Sequence, residues 1–308
     1  MCNQRGICAT IRREFETLWL FWPVGEAEKC SVPPARWPAR LLTPVLMATC
    51  GWGSMRSPAA QDATSPTARL VKAMQENNLQ AAQEALNQGA PPYTEVDGTP
   101  LPFVAAWRGR TGILKALLDH GVRSDICTEV DHTSLLIRAT HMGDPSIIRM
   151  LLDHKAPVNV RNDMGETALT VVRNPDPPQA PTRAVVMRML LHAGADPEIR
   201  DGEGRTAIMR YATFGISDAV EVLAGAGVKV NARDHDGNTA LILAAGWRNG
   251  DTGVMSPEAC LAIVKRLLKQ GADLRARNHD GRTALIAARE AKHPEIVSLL
   301  REHGATGE

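Results

Sequence analysis

Large rings are scarce in this chain of 308 residues: Phe, Tyr and Trp together make up 4% of it. A core built mainly on aromatic side chains is thereby excluded, leaving Leu, Ile, Val and Ala to fill it. An excess of charge is missing too. Lys plus Arg number 35 against 34 Asp plus Glu, a net charge of +1, which argues against a general phosphate-binding surface and hence against nucleic acid as partner. The uncharged run between Arg40 and Arg56 holds 15 residues, short of the roughly 20 that span a bilayer. Catalytic signatures are absent as well: there is no GxSxG, P-loop, HExxH or GxGxxG in a βαβ setting. No CxxC occurs, and no histidine pair has zinc spacing with cysteines.

The near-neutral total hides a split at about residue 60. The first 60 residues carry 7 basic and 4 acidic side chains, a net of +3, so the remainder nets 28 − 30 = −2. Four of the six cysteines (Cys2, Cys8, Cys30, Cys50) and four of the six tryptophans (Trp19, Trp22, Trp37, Trp52) also lie there.

What the rest of the chain does have is an internal repeat. One turn recurs as "DGTPL" at 97, "DHTSL" at 131, "GETAL" at 165, "GRTAI" at 204, "GNTAL" at 237 and "GRTAL" at 281. Its threonines (Thr99, Thr133, Thr167, Thr206, Thr239, Thr283) are spaced 34, 34, 39, 33 and 44 apart. After each comes a short Ala-containing helical pattern, then a second apolar helix such as "ILKALLDHGV" or "IVKRLLKQGA". Two helices and a turn in about 33 residues make a solenoid unit. In Ile113, Leu114, Leu117 and Leu118, apolar side chains form a broad stripe on one helix face, which only a stacked neighbour can bury. Gly89, Gly121, Gly194, Gly227, Gly271 and Gly304 mark helix ends that need a left-handed residue. Lys155 takes that place in one unit and predicts a strained or differently closed end.

These strings resemble the ankyrin repeat, whose pattern runs Asp-x-x-Gly-x-Thr-Pro-Leu-His-x-Ala-Ala, a short loop, then Ile-Val-x-x-Leu-Leu-x-x-Gly-Ala. The resemblance covers residues 65–305 and implies an all-α ankyrin solenoid of about seven repeats with β-turn tips. Its first repeat, 65–96, keeps the helical spacing without the turn motif and reads as a cap opened by Ser65 and Pro66. The last, 278–305, reads as the other cap, with Arg301 where other units place a stripe leucine. The motif histidine is missing throughout, its place taken by Pro102, Leu136, Thr170, Met209, Ile242 and Ile286. Tyr211 occupies a small-residue position. Both departures predict modest local distortion without a change of fold.

The resemblance implies a non-catalytic module that binds a protein partner through a concave groove and the turn tips, with no cofactor and no metal. The alternative is a regulatory or inhibitory subunit of a specific enzyme. Carried over position by position, the contact residues are Met164 and Glu166; Glu203 and Arg205; His235, Asp236 and Asn238; and His279, Asp280 and Arg282. Trp107 and Trp247 join them near the ends of first helices, since Trp is a favoured anchor at interfaces. His120, His154, His192 and His303 sit near helix C-termini, where the helix dipole favours a cation. Cys127, in a turn, and Cys260, on an outer helix, read as buried or half-buried free thiols. Two inserts, 174–182 and 247–257, fall between the first and second helices of their units and are expected to project from one edge, framing an end of the groove.

The leader, residues 1–60, is read either as an export signal with its apolar core at 41–55 or as a disordered extension. The 40 residues before that core are long for a signal, so a translation start placed too far upstream is a further reading. "MATC" loosely resembles a bacterial lipoprotein box, which makes Cys50 a candidate for lipidation. The protein is thus expected to be a monomer, exported, periplasmic or membrane-anchored in a bacterium, with cytoplasmic residence as the alternative. Membrane association is expected only if the leader is retained or Cys50 is lipidated.

Overall fold

The computed structural model describes residues 65–173, 182–247 and 256–306. Helices α1 (Pro66–Glu76) and α2 (Leu79–Asn87) form the first pair, α3 (Leu101–Trp107) and α4 (Thr111–Asp119) the second, α5 (Leu135–Met142) and α6 (Pro145–Asp153) the third. In the fourth unit a 3₁₀ turn (Ala168–Thr170) precedes α7 (Thr182–His192). Then come α8 (Ala207–Thr213) with α9 (Ser217–Gly225), α10 (Ala240–Ala245) with α11 (Pro257–Lys269), and α12 (Ala284–Glu290) with α13 (Pro294–Glu302). First helices stack on first helices, as α3 on α5 and α8 on α10 on α12; second helices stack likewise, as α9 on α11. The architecture is the all-α solenoid that the periodicity implies.

Burial follows the stripes. Ile113, Leu114, Leu117 and Leu118 on α4, Ile147, Ile148 and Leu151 on α6, and Ile263, Val264 and Leu267 on α11 are all buried. Each such side chain contributes about 1.5–3 kcal/mol by leaving water. The small residues Ala105, Ala106, Ala244 and Ala245 have no exposed surface and let first helices approach closely. At the opening of the array the Ser65 hydroxyl accepts the Ala68 amide at 3.1 Å, with Pro66 in the first turn. Arg69, Lys72, Gln75 and Glu76 of α1 face solvent, as does Arg301 on α13.

The helix ends close as their glycines dictate. Gly89, Gly121, Gly194, Gly227, Gly271 and Gly304 all have positive φ. Lys155 adopts the same left-handed conformation, at φ 63°. Its closure is the ordinary one: Lys155 N–H donates to Leu152 C=O and Ala156 N–H to Leu151 C=O, both at 2.9 Å. The strain expected at this end is therefore present, while its hydrogen bonding is unchanged.

Two local differences from the sequence reading have clear causes. First, the residue that caps the first helix is Pro100 in the second unit and Ser134 in the third, one position after Thr99 and Thr133. Thr99 instead lies in strand β2 (Thr99–Pro100), paired antiparallel with β1 (Glu95–Val96). Asp97 and Gly98 both have positive φ between the two strands, the geometry of a tight hairpin turn. The motif-histidine place in these two units accordingly shifts to Phe103 and Ile137.

Second, the first helix of the fourth unit shrinks to a single 3₁₀ turn. Thr170 N–H bonds to Thr167 C=O, and its hydroxyl accepts the Thr167 amide at 2.9 Å. Two β-branched residues follow, Val171 and Val172, and then Pro175, which disfavours helix at the residue before it. Tyr211 repairs the defect. It stands on α8 of the next unit where other first helices carry alanine, is 2% exposed, and its hydroxyl donates to Leu169 C=O at 2.8 Å while accepting Val172 N–H at 3.1 Å. The residue expected to weaken packing supplies partners to backbone groups that a full helix would have paired internally.

Candidate functional site

The turn tips form one edge of the array, and from the third unit on each is folded by an Asp or Asn side chain. Asp201 Oδ1 accepts the amides of Glu203 and Arg205, Asp234 Oδ1 those of Asp236 and Asn238, and Asn278 Oδ1 those of Asp280 and Arg282. In the fourth unit Asn162 Oδ1 accepts the Glu166 amide at 2.8 Å. Such side-chain turns are what these residue types offer the backbone. At Asp131, burial works against the charge, but hydrogen bonds from Thr128 and Thr133 hold the carboxyl below the usual range.

Successive tips are then joined by backbone hydrogen bonds. Asp163 N–H donates to Asp131 C=O (3.1 Å), Gly202 to Met164 (3.2 Å), His235 to Glu203 (3.1 Å) and His279 to Asp236 (2.8 Å). The ring of His279 lies so close to Gly237 that a Cβ there would come within 2.8 Å of it, and His235 covers Gly204 in the same way. Arginines reinforce this edge: Arg200 donates to Arg233 C=O and Arg233 to Arg277 C=O in the next unit. In the loops that lead into the tips Asn159 bridges to Gly194 and Asp196, and Asn231 to Gly271 and Asp273. Backbone bonds thus hold the tips in register without drawing on the side chains of Met164, Asp236 or Asp280.

The residues proposed from sequence divide accordingly. Met164 is half exposed, and Glu203, His235, Asp236, His279, Asp280 and Arg282 lie on the surface, Arg282 paired with Glu290 at 3.3 Å. Trp107 is 51% exposed, but it ends α3, about 10 Å along the helix from the tips. Arg205 is partly buried between Asp201 (3.2 Å) and Glu203 (2.9 Å). Asn238 bridges Asp234 and Asn278.

Two residues are corrected. Glu166 is buried, accepting from Asn162 Nδ2 at 3.0 Å and pairing with Arg210 at 2.5 Å. Trp247 is 5% exposed, its ring stacked on His293 with centroids 5.7 Å apart, and its carbonyl accepts from His293 Nε2 at 2.6 Å. Neither offers a side chain to a partner; Glu166 is drawn inward by a guanidinium 44 positions on, Trp247 by an imidazole 46 positions on. In the other direction, Val130 at the tip of the third unit is 91% exposed, and Tyr93 and Phe214 are also open. An apolar β-branched residue inside the polar turn "EVDHTS" was the signal for Val130.

Below the tips lies a charged network. Arg210 reaches both Glu166 and Asp201 (3.6 Å) and places its guanidinium over the Phe214 ring at 5.6 Å. His141 on α5 lies in the field of this network. Burial pushes its imidazole down to about 4, opposed by Glu166 and aided by Arg173, Arg138 and Arg210.

The remaining candidates resolve as follows. His120, His192 and His303 each place Nδ1 against the carbonyl four residues earlier, at 2.8–2.9 Å, so they close helix ends. Cys260 is fully buried as expected, with burial raising its thiol to about 11, whereas Cys127 is corrected: its place in the turn leaves it exposed. Among the described residues no group of three His, Cys, Asp or Glu side chains could hold a metal ion, and no helix is long and apolar enough to cross a membrane. Cys50, the rest of the leader, and the insert residues 174–181 and 248–255 lie outside the described residues.

Comparison with known proteins agrees with this geometry. A family model described as ankyrin repeats in three copies matches residues 182–256, and the single ankyrin repeat model matches 131–163, 236–279 and 280–306. The chain is similar in structure to the crystal structure of the ankyrin repeat domain of Bcl-3, described as a unique member of the IkappaB protein family. The TM-score is 0.60 at 22% identity, over 76% of this chain and 97% of that one; at that identity the likeness is one of fold. Stacked helix pairs, Asx-folded tips, left-handed helix ends and the family matches converge: this chain belongs to the ankyrin repeat family.

Proposed function

We propose that the array is a non-catalytic binding module that takes a protein partner along its tip edge, in keeping with the general role of ankyrin repeats in protein–protein interaction. The observation that carries this reading is the hydrogen-bonded ladder from Asp131 to His279, which fixes the tips without consuming the outward side chains. A surface ordered before binding loses less entropy on association. Val130 and Met164, on adjacent tips of the third and fourth units, supply the apolar part of that surface. Asp236 and Asp280, exposed on the sixth and seventh tips, supply carboxylates.

A pull-down from the native host tests the proposal, comparing the intact chain with Val130→Ser/Met164→Ser and with Asp236→Ser/Asp280→Ser. The expected result is loss of one stoichiometric partner with either pair at unchanged thermal stability. Capture of every partner equally by all three forms would remove the tip edge from the account. If the captured partner is a single enzyme whose activity falls on binding, the module is that enzyme's regulatory subunit.

A further inference from the structure

The last unit presents a second surface, built on its two helices and not on its tip, and lined mainly by cations. Between the end of α12 and the outer side of α13 runs an open groove of about 620 Å³, lined by Arg289, Lys292, His293, Val297, Arg301 and Glu302 among others. Arg289, Lys292 and Arg301 are all exposed, and none is ion-paired with a described residue. The single carboxylate of the lining, Glu302, is engaged by the Ser298 hydroxyl at 3.2 Å. Three exposed cations therefore line one groove together with the partly buried Val297.

Two features set this groove apart from a merely polar end of the stack. Lys292 has φ 62°, a left-handed conformation that the corresponding helix ends at Gly109, Gly143 and Gly215 fill with glycine. A lysine is strained there, and it contributes a cation to the groove rim. His293, beside it, is fixed by its stack on Trp247 and its bond to the Trp247 carbonyl, so the groove wall is anchored in the preceding unit. From Pro294 to Arg301 the groove wall runs about 10 Å, two helical turns.

We infer that this terminal groove docks an acidic peptide segment of another protein, with carboxylates meeting Arg289, Lys292 and Arg301 and an apolar side chain resting on Val297. In polyproline II conformation carboxylates three residues apart lie on one face and span about 9 Å, close to the length of the groove. The fit is to a peptide because the groove is open and long; an enclosed site would suit a small anion better.

Fluorescence anisotropy of the full chain tests this with a labelled ten-residue peptide bearing Glu at every third position around leucines. Its Gln counterpart and a single-stranded oligonucleotide serve as controls. The Glu peptide is expected to bind at least about tenfold more tightly than the Gln peptide, with affinity falling as salt rises. Arg289→Glu/Lys292→Glu/Arg301→Glu is expected to weaken it by at least about tenfold, and the milder triple Gln form by less. The Asp236→Ser/Asp280→Ser variant keeps full binding, which separates this groove from the tip edge. No binding of the Glu peptide, equal binding of the Glu and Gln peptides, tighter binding of the oligonucleotide, or unchanged affinity in both folded triple variants would each overturn the assignment.

Discussion

At the scale of single residues, three side chains carry consequences that can be measured. Tyr211 gives its hydroxyl to Leu169 C=O and takes Val172 N–H. Tyr211→Phe keeps the ring and leaves both backbone groups buried without partners, so it is expected to cost about 1–3 kcal/mol in urea unfolding. A change below a few tenths would mean that water reaches those groups. Lys155 sits at φ 63° with the hydrogen bonds of a glycine end. Relief of the left-handed strain exceeds the added entropy of the unfolded chain, so Lys155→Gly is expected to stabilise the protein by about 0.5–1 kcal/mol. His141 is held near 4 by burial, against 6.5 when free. The unfolded chain therefore binds the proton more readily, and stability is full above about pH 6.5 and falls as pH drops toward 4. The loss from this group amounts to about 3 kcal/mol at most. His141→Leu is expected to flatten that stretch of the stability–pH curve; an unchanged slope would place the acid sensitivity elsewhere.

At the scale of the element, what could be read from sequence was whatever is local or periodic. The stripe on α4, the glycines that end second helices and the Ser65 cap each depend on neighbours within one or two turns, and all stand as the spacing implies. The shift of the cap from Thr133 to Ser134 was harder to see, because "DHTSL" offers two hydroxyls and only the hairpin register selects between them. The collapse of the fourth unit's first helix was written in Val171, Val172 and Pro175, while its repair by Tyr211 required knowing which backbone groups lay opposite 39 and 42 positions away. Glu166 and Trp247 were misplaced for the same reason: a charged tip residue and a tryptophan at a helix end look exposed until the cation or ring from the next unit is in position. Trp247→Ala removes a ring buried between α10 and the start of α13, and is expected to cost about 3–5 kcal/mol. Hydrogen exchange that rises in α12 and α13 more than in α1 to α4 would confirm that the loss is confined to the end of the array.

At the scale of the whole molecule, each unit touches only its neighbours, so stability is a chain of local terms and interfaces. The weakest unit by construction is the fourth, where a 3₁₀ turn replaces a helix, and at that turn the fifth unit is joined by Tyr211 and close by through the pairing of Arg210 with Glu166. The three helix pairs before it and the three after it have complete first helices. Removing the ring as well as the hydroxyl should cut cooperativity at this joint as well as lower the total. Tyr211→Ala is therefore expected to split urea unfolding into two transitions, with α1 to α6 and α8 to α13 losing protection at different denaturant concentrations. Hydrogen exchange across a urea series separates the two blocks directly. A single transition, merely shifted to lower urea, would show that the remaining contacts between the fourth and fifth units suffice to keep the seven units folding as one.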